Sequence, residues 1–245
     1  VVFHLACLGV RHSIHSPREN NEVNATATLD LLALSREERV GRFVHVSTSE
    51  VYGTAVRVPM DEETPAFPHT VYGSSKLAGE CHARAYAKTY GFPTVVLRPF
   101  NSYGPRCHHE GDSGEVIPKF ILRALAGNPM LVFGDGLQTR DFTYVDDIVE
   151  GLVRVLARRP DGEIPYALFN IGRGEPVGLM SMIHALGRAL GREPVIDLQP
   201  AQPGEAPETH ADVRGLQDAV GYAPETPLEE GIERFVAWYR SYVEP

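Results

Sequence analysis

Hydrophobic positions recur along the chain in two spacings, each marking a different kind of element. Val1-Val2-Phe3-His4-Leu5-Ala6 is a short, nearly continuous apolar run of the kind that fills an inner strand. It has no initiator Met, charged leader or small-residue cleavage site, so it reads as a strand entered midway through a domain, with a segment expected upstream. From Glu22 to Glu38 the spacing becomes helical, with Val23, Thr26, Leu29, Leu32 and Ala33 on one stripe, and Arg42 to Ser47 returns to a strand. Tyr72 to Tyr90 predicts a long helix closed by Gly91, and Thr94 to Arg98 a third strand. Such alternation predicts an α/β fold, a doubly wound parallel sheet with helices on both faces.

Beyond Asn101 the texture changes, because Gly, Pro and His interrupt the pattern until Pro118 opens a helix from Lys119 to Ala126. Val145, Ile148, Val149, Leu152 and Leu156 keep helical spacing, Leu168 to Ile171 reads as a strand, and Leu179, Ile183, Leu186 and Leu190 form an amphipathic stripe ending at Gly191. Thr226-Pro227-Leu228-Glu229 has the form of a capping box ahead of a last helix carrying Ile232, Phe235, Val236 and Tyr239.

Composition narrows the function. With 245 residues, 43% hydrophobic and a net charge of −9, the chain has the profile of a soluble globular protein. No apolar run approaches the roughly 18 residues of a membrane span, and no Lys/Arg cluster offers a nucleic-acid footprint. Cys7, Cys81 and Cys107 are an odd, scattered set, which argues against a disulfide framework and suits a reducing cytoplasm.

Chemistry concentrates in two segments. Tyr72 and Lys76 stand four residues apart, one above the other on the same helix face. A phenol is a poor base at neutral pH, and bringing its pKa from about 10 to neutrality takes about 4 kcal/mol. An ammonium about 4 Å away, at an effective dielectric near 20, supplies about that much. The same spacing also suits an aromatic body covered by an alkyl stem, although with only three lysines the pattern is expected by chance roughly 0.12 times. Ser47-Thr48-Ser49-Glu50 follows the second strand, where doubly wound sheets bind ligands. These hydroxyls can hold a substrate oxygen or simply cap the loop.

Taken together, Ser47-Thr48-Ser49-Glu50-Val51-Tyr52-Gly53, Tyr72-x-x-x-Lys76, Leu97-Arg98-Pro99-Phe100-Asn101-Ser102-Tyr103-Gly104-Pro105-Arg106 and Phe133-Gly134-Asp135-Gly136-x-x-x-Arg140-Asp141-Phe142 resemble the extended short-chain dehydrogenase/reductases. More narrowly, the chain is similar to their NAD-dependent nucleotide-sugar epimerase/dehydratase family, a resemblance that His4-Leu5-Ala6, Asn24, Asn170-Ile171-Gly172 and Gly221-Tyr222-x-Pro224 carry over essentially the whole length. It implies a Rossmann-like doubly wound sheet lacking its first βαβαβ part, together with the Gly-rich turn that holds the pyrophosphate; at about 30 residues per βαβ unit, roughly 60 residues are missing. Residues 1–115 would then be the remaining NAD-binding domain. Residues 116–245 would form a smaller α/β substrate-binding region, with about 140–172 returning to the first domain.

The resemblance also implies roles. Tyr72 takes the proton from the sugar O4, Lys76 lowers its pKa and bonds the nicotinamide ribose, Thr48 bonds the same sugar oxygen, and hydride passes from C4 to NAD⁺. Leu5, Ala6, Cys7, Asn24, Val46, Ser47 and Pro99, with Tyr72 and Lys76, would line the cofactor. Asn101, Val116, Leu131, Phe133, Arg140, Asn170 and Glu205 would join Thr48 around the sugar nucleotide, Arg140 offering a fork to phosphate; without that context Arg140 and Asp141 read as a surface ion pair. Glu50 can remove the C5 proton of a 4-keto sugar, pointing to 4,6-dehydration with Ser49 beside it, although glucose-type dehydratases usually carry Asp-Glu where this chain has Ser49-Glu50. The tail from Pro203 to Asp212 looks more like the 4-epimerases, including those acting on uronates, and Ser-Glu also resembles uronate decarboxylases. A cofactor-less nucleotide-sugar-binding relative is the alternative of another class. The expected partner is a UDP- or dTDP-hexose, in a homodimer paired through the helices Glu22–Glu38 and Tyr72–Tyr90. Cys107-His108-His109-Glu110-Gly111-Asp112 reads as a loop over the sugar rather than a metal site, since adjacent ligands splay apart. Cys7 reads as a small buried hydrophobe.

Overall fold

The computed structural model describes residues 1–108, 115–158, 160, 162–201 and 207–243. Its frame is a four-stranded parallel sheet of β1 (Val2–His4), β2 (Phe43–Val46), β3 (Thr94–Pro99) and a strand closing the far side, Tyr166–Ile171. Between them run α1 (Val10–His15), α2 (Pro17–Asn21), a π turn (Glu22–Thr26), α3 (Ala27–Glu37), a 3₁₀ turn (Ser49–Tyr52) and α4 (Val71–Tyr90). The second half adds β4 (Ser102–Tyr103), α5 (Val116–Leu125), β5 (Met130–Phe133), β6 (Thr139–Arg140), β7 (Thr143–Tyr144) and α6 (Val145–Arg154). After β8 (Tyr166–Ile171) come β9 (Val177–Gly178), α7 (Leu179–Leu190), β10 (Ile196–Gln199), α8 (Arg214–Val220) and α9 (Leu228–Val243). Among the described residues, no helix is long and apolar enough to cross a membrane.

The sheet is wound on both sides, as the alternation predicts. Along β3, Val95 and Leu97 pack with Val44, Ile148, Leu152 and Leu216, under α6 and α8. Val96 points the other way, to Leu32, Phe43, Ala83 and Phe92 under α3 and α4. A separate core joins α5, α7 and α9 to β5 through Ile121, Met182, Ile183, Leu186, Ile232 and Phe235. Burying such side chains contributes on the order of 2 kcal/mol each against the entropy of ordering the chain.

Three local expectations need correction. Helix α3 and the turns before it do not bury the Val23, Thr26, Leu29 stripe; the inward face is Asn20, Asn24, Thr28 and Leu32, polar at its start because these residues bond to the loop after β1 and to α4. Pro118 stands in the third position of α5 rather than the first, still within the turn whose amides need no intrahelical partner. Ahead of α9, the Asp147 carboxylate accepts from the Glu225 and Thr226 amides, work the predicted capping box assigned to Thr226 and Glu229. Gly91 and Gly191 do end their helices in the left-handed region.

His4 and His45 sit opposite each other in the β1–β2 register, both buried, with ring centroids 5.6 Å apart. Burial first, and then the Lys76 charge, push both imidazoles below their ordinary range, His45 furthest. The unfolded chain therefore binds these protons more readily. Stability is fully present above the unfolded value of about 6.5 and is lost as pH falls from there toward the depressed folded values. Urea midpoints measured between pH 7.5 and 5.5 should fall less for His45→Phe than for the parent chain; equal slopes would place the acid sensitivity elsewhere.

Candidate functional site

The carboxyl ends of β1, β2 and β3 lie along one edge of the parallel sheet, and the residues expected at the cofactor follow them. Leu5, Ala6 and Cys7 follow β1 and are exposed, Val46 ends β2 with buried Ser47 after it, and half-buried Pro99 ends β3. Cys7 is thus not the buried hydrophobe that its position in the sequence suggests. Asn24 does not face the crevice freely. Its amide accepts from the Leu8 N–H and donates to the Leu8 carbonyl at 2.9 Å each, and also donates to Asn20 and Ser75. Asn20 donates in turn to the Leu8 and Gly9 carbonyls, so the loop carrying Cys7 is tied to the first turns of α4.

Tyr72 arrives beside Thr48 because two backbones approach closely. Thr70 caps α4 by accepting from the Gly73 N–H at 3.0 Å, and Thr48 accepts from the Glu50 N–H at 3.2 Å to start the 3₁₀ turn. A Cβ at Gly73 would lie 2.7 Å from the Glu50 carbonyl oxygen, so glycine is what lets the helix start rest on that turn. At Gly53, φ is +65° and a Cβ would meet the Phe67 carbonyl at 2.1 Å, which fixes the turn's exit. The Thr48 hydroxyl thereby caps its loop and lies near enough to the Tyr72 phenol to oppose the rise in its pKa. Ser49 is half-buried beside it.

Lys76, one turn further along α4, is 1% exposed, and its Nζ has no hydrogen-bond partner among the described residues. Burial lowers its pKa, opposed by Cys7 and Glu80. The phenol of Tyr72 is held above its ordinary range, first by burial, then by Cys7, Glu50 and Glu115, with the neighbouring Thr48 hydroxyl opposing. Burial therefore outweighs the lowering by an ammonium that the four-residue spacing predicts; a phenol in this setting needs a further positive charge close by before it can take a proton.

Glu50 is solvent-exposed, yet the surrounding protein raises its pKa first by desolvation, with Glu115 adding and Arg140 and His69 opposing. Glu115, the residue before α5, is raised chiefly by desolvation and makes no cap bond. Glu115 is thus within electrostatic reach of both Glu50 and the phenol. Sequence reasoning missed Glu115, which no motif signals, and Glu80, which a carboxylate on the inward face of a helix could have signalled. Glu80 is 3% exposed and holds Arg98 through two contacts, Nη2 to Oε2 at 2.6 Å and Nε to Oε1 at 3.0 Å, while accepting from Ser47 Oγ at 2.5 Å. Arg98 also lies over the Tyr52 ring, 4.7 Å from its centroid.

The residues expected around the sugar nucleotide divide. Half-buried Asn101 and Arg140 are brought together through Thr209, whose hydroxyl donates to Asn101 and whose amide donates to the Thr139 carbonyl. Half-buried Leu131 and Phe133 lie on β5, tied to β6 through the Gln138 amide on the Phe133 carbonyl, and Val116 is exposed at the start of α5. Asn170 departs from its expected role: fully buried, it accepts from Tyr52 Oη at 2.6 Å and donates to the Met60 and Asp212 carbonyls, so its side chain is committed within the protein. Asp141 is not the partner of Arg140 in a surface pair; buried, it accepts from the main-chain amides of Arg173, Gly174 and Ala211. Glu205 lies outside the described residues, as do His109, Glu110 and Asp112, and among the described residues no three His, Cys, Asp or Glu side chains gather as a metal set.

Comparison with known proteins agrees with this layout. The model of the NAD dependent epimerase/dehydratase family matches residues 1–172. A probable UDP-glucuronate 4-epimerase from Rhizobium meliloti is 33% identical over 256 residues, covering 98% of this chain and 74% of that protein. Among solved structures, UDP-glucuronic acid 4-epimerase from Bacillus cereus, in complex with UDP-glucuronic acid and NAD, matches with a TM-score of 0.89 at 32% identity, over 97% of this chain and 74% of that one. A dTDP-glucose 4,6-dehydratase from Streptomyces venezuelae with NAD bound matches with a TM-score of 0.89 at 31% identity, over 99% of this chain and 73% of that one.

The Arg98–Glu80 pair joins β3 to α4, so its rupture should be felt as stability. Glu80→Gln leaves the buried guanidinium short of its counter-charge and should lower unfolding free energy by about 3–5 kcal/mol, read from urea denaturation. A loss under about 1 kcal/mol, the size expected of an exposed pair, would show that the pair is not structural.

Proposed function

The chain belongs to the NAD dependent epimerase/dehydratase family, and from that premise we propose that its crevice oxidises C4 of a nucleotide-activated hexose and completes the reaction as a 4,6-dehydration. The observation carrying this reading is the half-buried Tyr72 phenol close enough to the Thr48 hydroxyl to be lowered by it, one helical turn from a buried Lys76 ammonium whose Nζ has no hydrogen-bond partner among the described residues. An orphaned buried cation at that depth fits the ribose hydroxyls of NAD, and the exposed Leu5–Cys7 backbone and Ser47 offer it a wall. When bound, NAD supplies the oxidising carbon and a positive charge near the phenol.

The chain's own groups have the following tasks. Tyr72 takes the O4 proton, and Thr48 bonds the same oxygen and holds the sugar in line. Lys76, buried one turn along the helix, fixes the ribose. Glu50, its pKa raised chiefly by desolvation, takes the C5 proton that an adjacent ketone acidifies, and the C6 hydroxyl leaves. Asn101, and Arg140 in a region comprising most of residues 116–245, hold the nucleotide side. A second reading, inversion at C4, has its own support: Ser49 provides a hydroxyl where dehydration calls for an acid.

The test is to incubate the protein with NAD⁺ and UDP- or dTDP-hexoses and resolve the products. A 4-keto-6-deoxy sugar is the expected product; a C4-inverted sugar would replace dehydration by epimerisation, and no sugar oxidation with any hexose would remove the reading. Tyr72→Phe should lower kcat by at least about 100-fold, the lower range for loss of a positioned acid–base group, with the circular dichroism unchanged. Glu50→Gln should stop formation of the 4-keto-6-deoxy product while leaving hydride exchange at C4, followed with deuterated substrate; parallel loss of both would move the C5 base elsewhere.

A further inference from the structure

We infer that the buried Arg98–Glu80 pair is the mount of the reacting groups: its carboxylate holds one end of the segment Ser47–Tyr52, its guanidinium holds the other, and Thr48 and Glu50 are thereby set against Tyr72 on the helix that carries Glu80. The inference deepens the proposal that Thr48, Glu50 and Tyr72 act on a sugar, and rests on it.

The segment begins and ends on one ion pair. Ser47, the buried residue after β2, donates through Oγ to Glu80 Oε1 at 2.5 Å. Tyr52, also buried, places its ring under Arg98, whose guanidinium carbon is 4.7 Å from the ring centroid, and its hydroxyl donates to Asn170 Oδ1 at 2.6 Å. Thr48, Ser49 and Glu50 lie between these two anchors. The pair itself is fixed in angle, because Arg98 reaches both carboxylate oxygens, Nε to Oε1 at 3.0 Å and Nη2 to Oε2 at 2.6 Å, and a two-pronged contact holds both planes in one orientation. Arg98 belongs to β3 and Glu80 to α4, so the segment is referred to sheet and helix at once.

A second contact with α4 completes the mount. The Glu50 carbonyl rests against Gly73, where a Cβ would lie 2.7 Å from the oxygen. Gly73 and Glu80 are seven residues apart on the same helix, about 10 Å along its axis. A segment that touches a rod once can pivot; one that touches it twice cannot. Lys76 lies between the two contacts and Tyr72 beside the first. Apolar side chains could supply comparable stability, since replacing a buried ion pair by well-packed hydrophobic groups is often neutral. They would accept nothing from Ser47 and give the Tyr52 ring no cation to lie against. Glu80 and Arg98 are therefore positioning residues, acting through the segment they hold.

The experiment uses the whole chain carrying Ser47→Ala, Tyr52→Leu or Glu80→Gln, with Asp147→Asn as a control weakened elsewhere, at the entry to α9. Amide exchange over residues 48–53, read by mass spectrometry, should quicken at least about tenfold in the first three and keep the parent rate in the control. With NAD⁺ and a hexose that the parent turns over, kcat should fall at least about tenfold, as expected when a reacting group is displaced by a fraction of an ångström. KM for the sugar nucleotide should stay within about threefold, because Asn101 and Arg140 have their own supports. Thr48 opposes the rise in the Tyr72 pKa that burial, Cys7, Glu50 and Glu115 bring, so a displaced Thr48 leaves the phenol protonated to higher pH. The acid limb of kcat should move up in Ser47→Ala and Tyr52→Leu and stay in place in Asp147→Asn. Parent-like exchange over 48–53 in both Ser47→Ala and Tyr52→Leu would overturn the inference, as would quickened exchange with parent kcat and an unmoved limb. Losses confined to Ser47→Ala would assign them to the cofactor wall and overturn it too. If the parent chain oxidises no hexose, the proposed function fails, while the exchange rates decide on their own whether the pair holds the segment.

Discussion

A charge held inside the protein with no hydrogen-bond partner among the described residues is the constraint around which this molecule is arranged. Lys76 lies within a fully formed helix and a closely packed sheet, where an ammonium is costly unless something negative or strongly polar is near. Glu80 is one turn away but is already committed to Arg98 and Ser47. The remaining polar opportunity lies on the side of the crevice. That asymmetry explains why the groups around it, Tyr72, Thr48 and the loop after β1, are so firmly tied to their own supports.

The supports are mostly polar and mostly long-range, which decides what could be read in advance. Strands β2 and β3 and helices α4 and α7 were legible because their apolar spacing and terminal glycines act locally. The inward face of the helix after β1 was not: Asn20, Asn24 and Thr28 look like a solvent face, yet they are buried because their partners, Leu8, Ser75 and His4, come from other segments. The same holds at the site. Tyr72, Lys76 and Thr48 form a pattern that can be recognised in order, whereas Glu115 enters only because α5 begins beside the Glu50 turn. Asn170 and Asp141 carried motif signals, but the fold uses both side chains to hold its own backbone.

Two acidic groups near a phenol make the crevice an unusual place for a sugar linked to a diphosphate. Arg140 and His69 oppose the charge on Glu50, and Arg11 and Lys119 that on Glu115, so the negative charge is locally offset rather than accumulated. An overall net charge of −9 then leaves the approach of an anionic substrate dependent on these few cations.

The π turn at Glu22–Thr26 has a geometric consequence for the loop it supports. In a regular α-helix, positions four apart drift around the axis by about 40° at each step, so Asn20, Asn24, Thr28 and Leu32 would spiral away from a common line. A turn closed over five residues instead of four winds less per residue and takes back part of that drift. One run of right-handed helical residues can then present asparagines to the loop after β1 and leucine to the sheet. Deleting a single residue between 22 and 26 would restore the ordinary winding and leave these two commitments pointing in different directions.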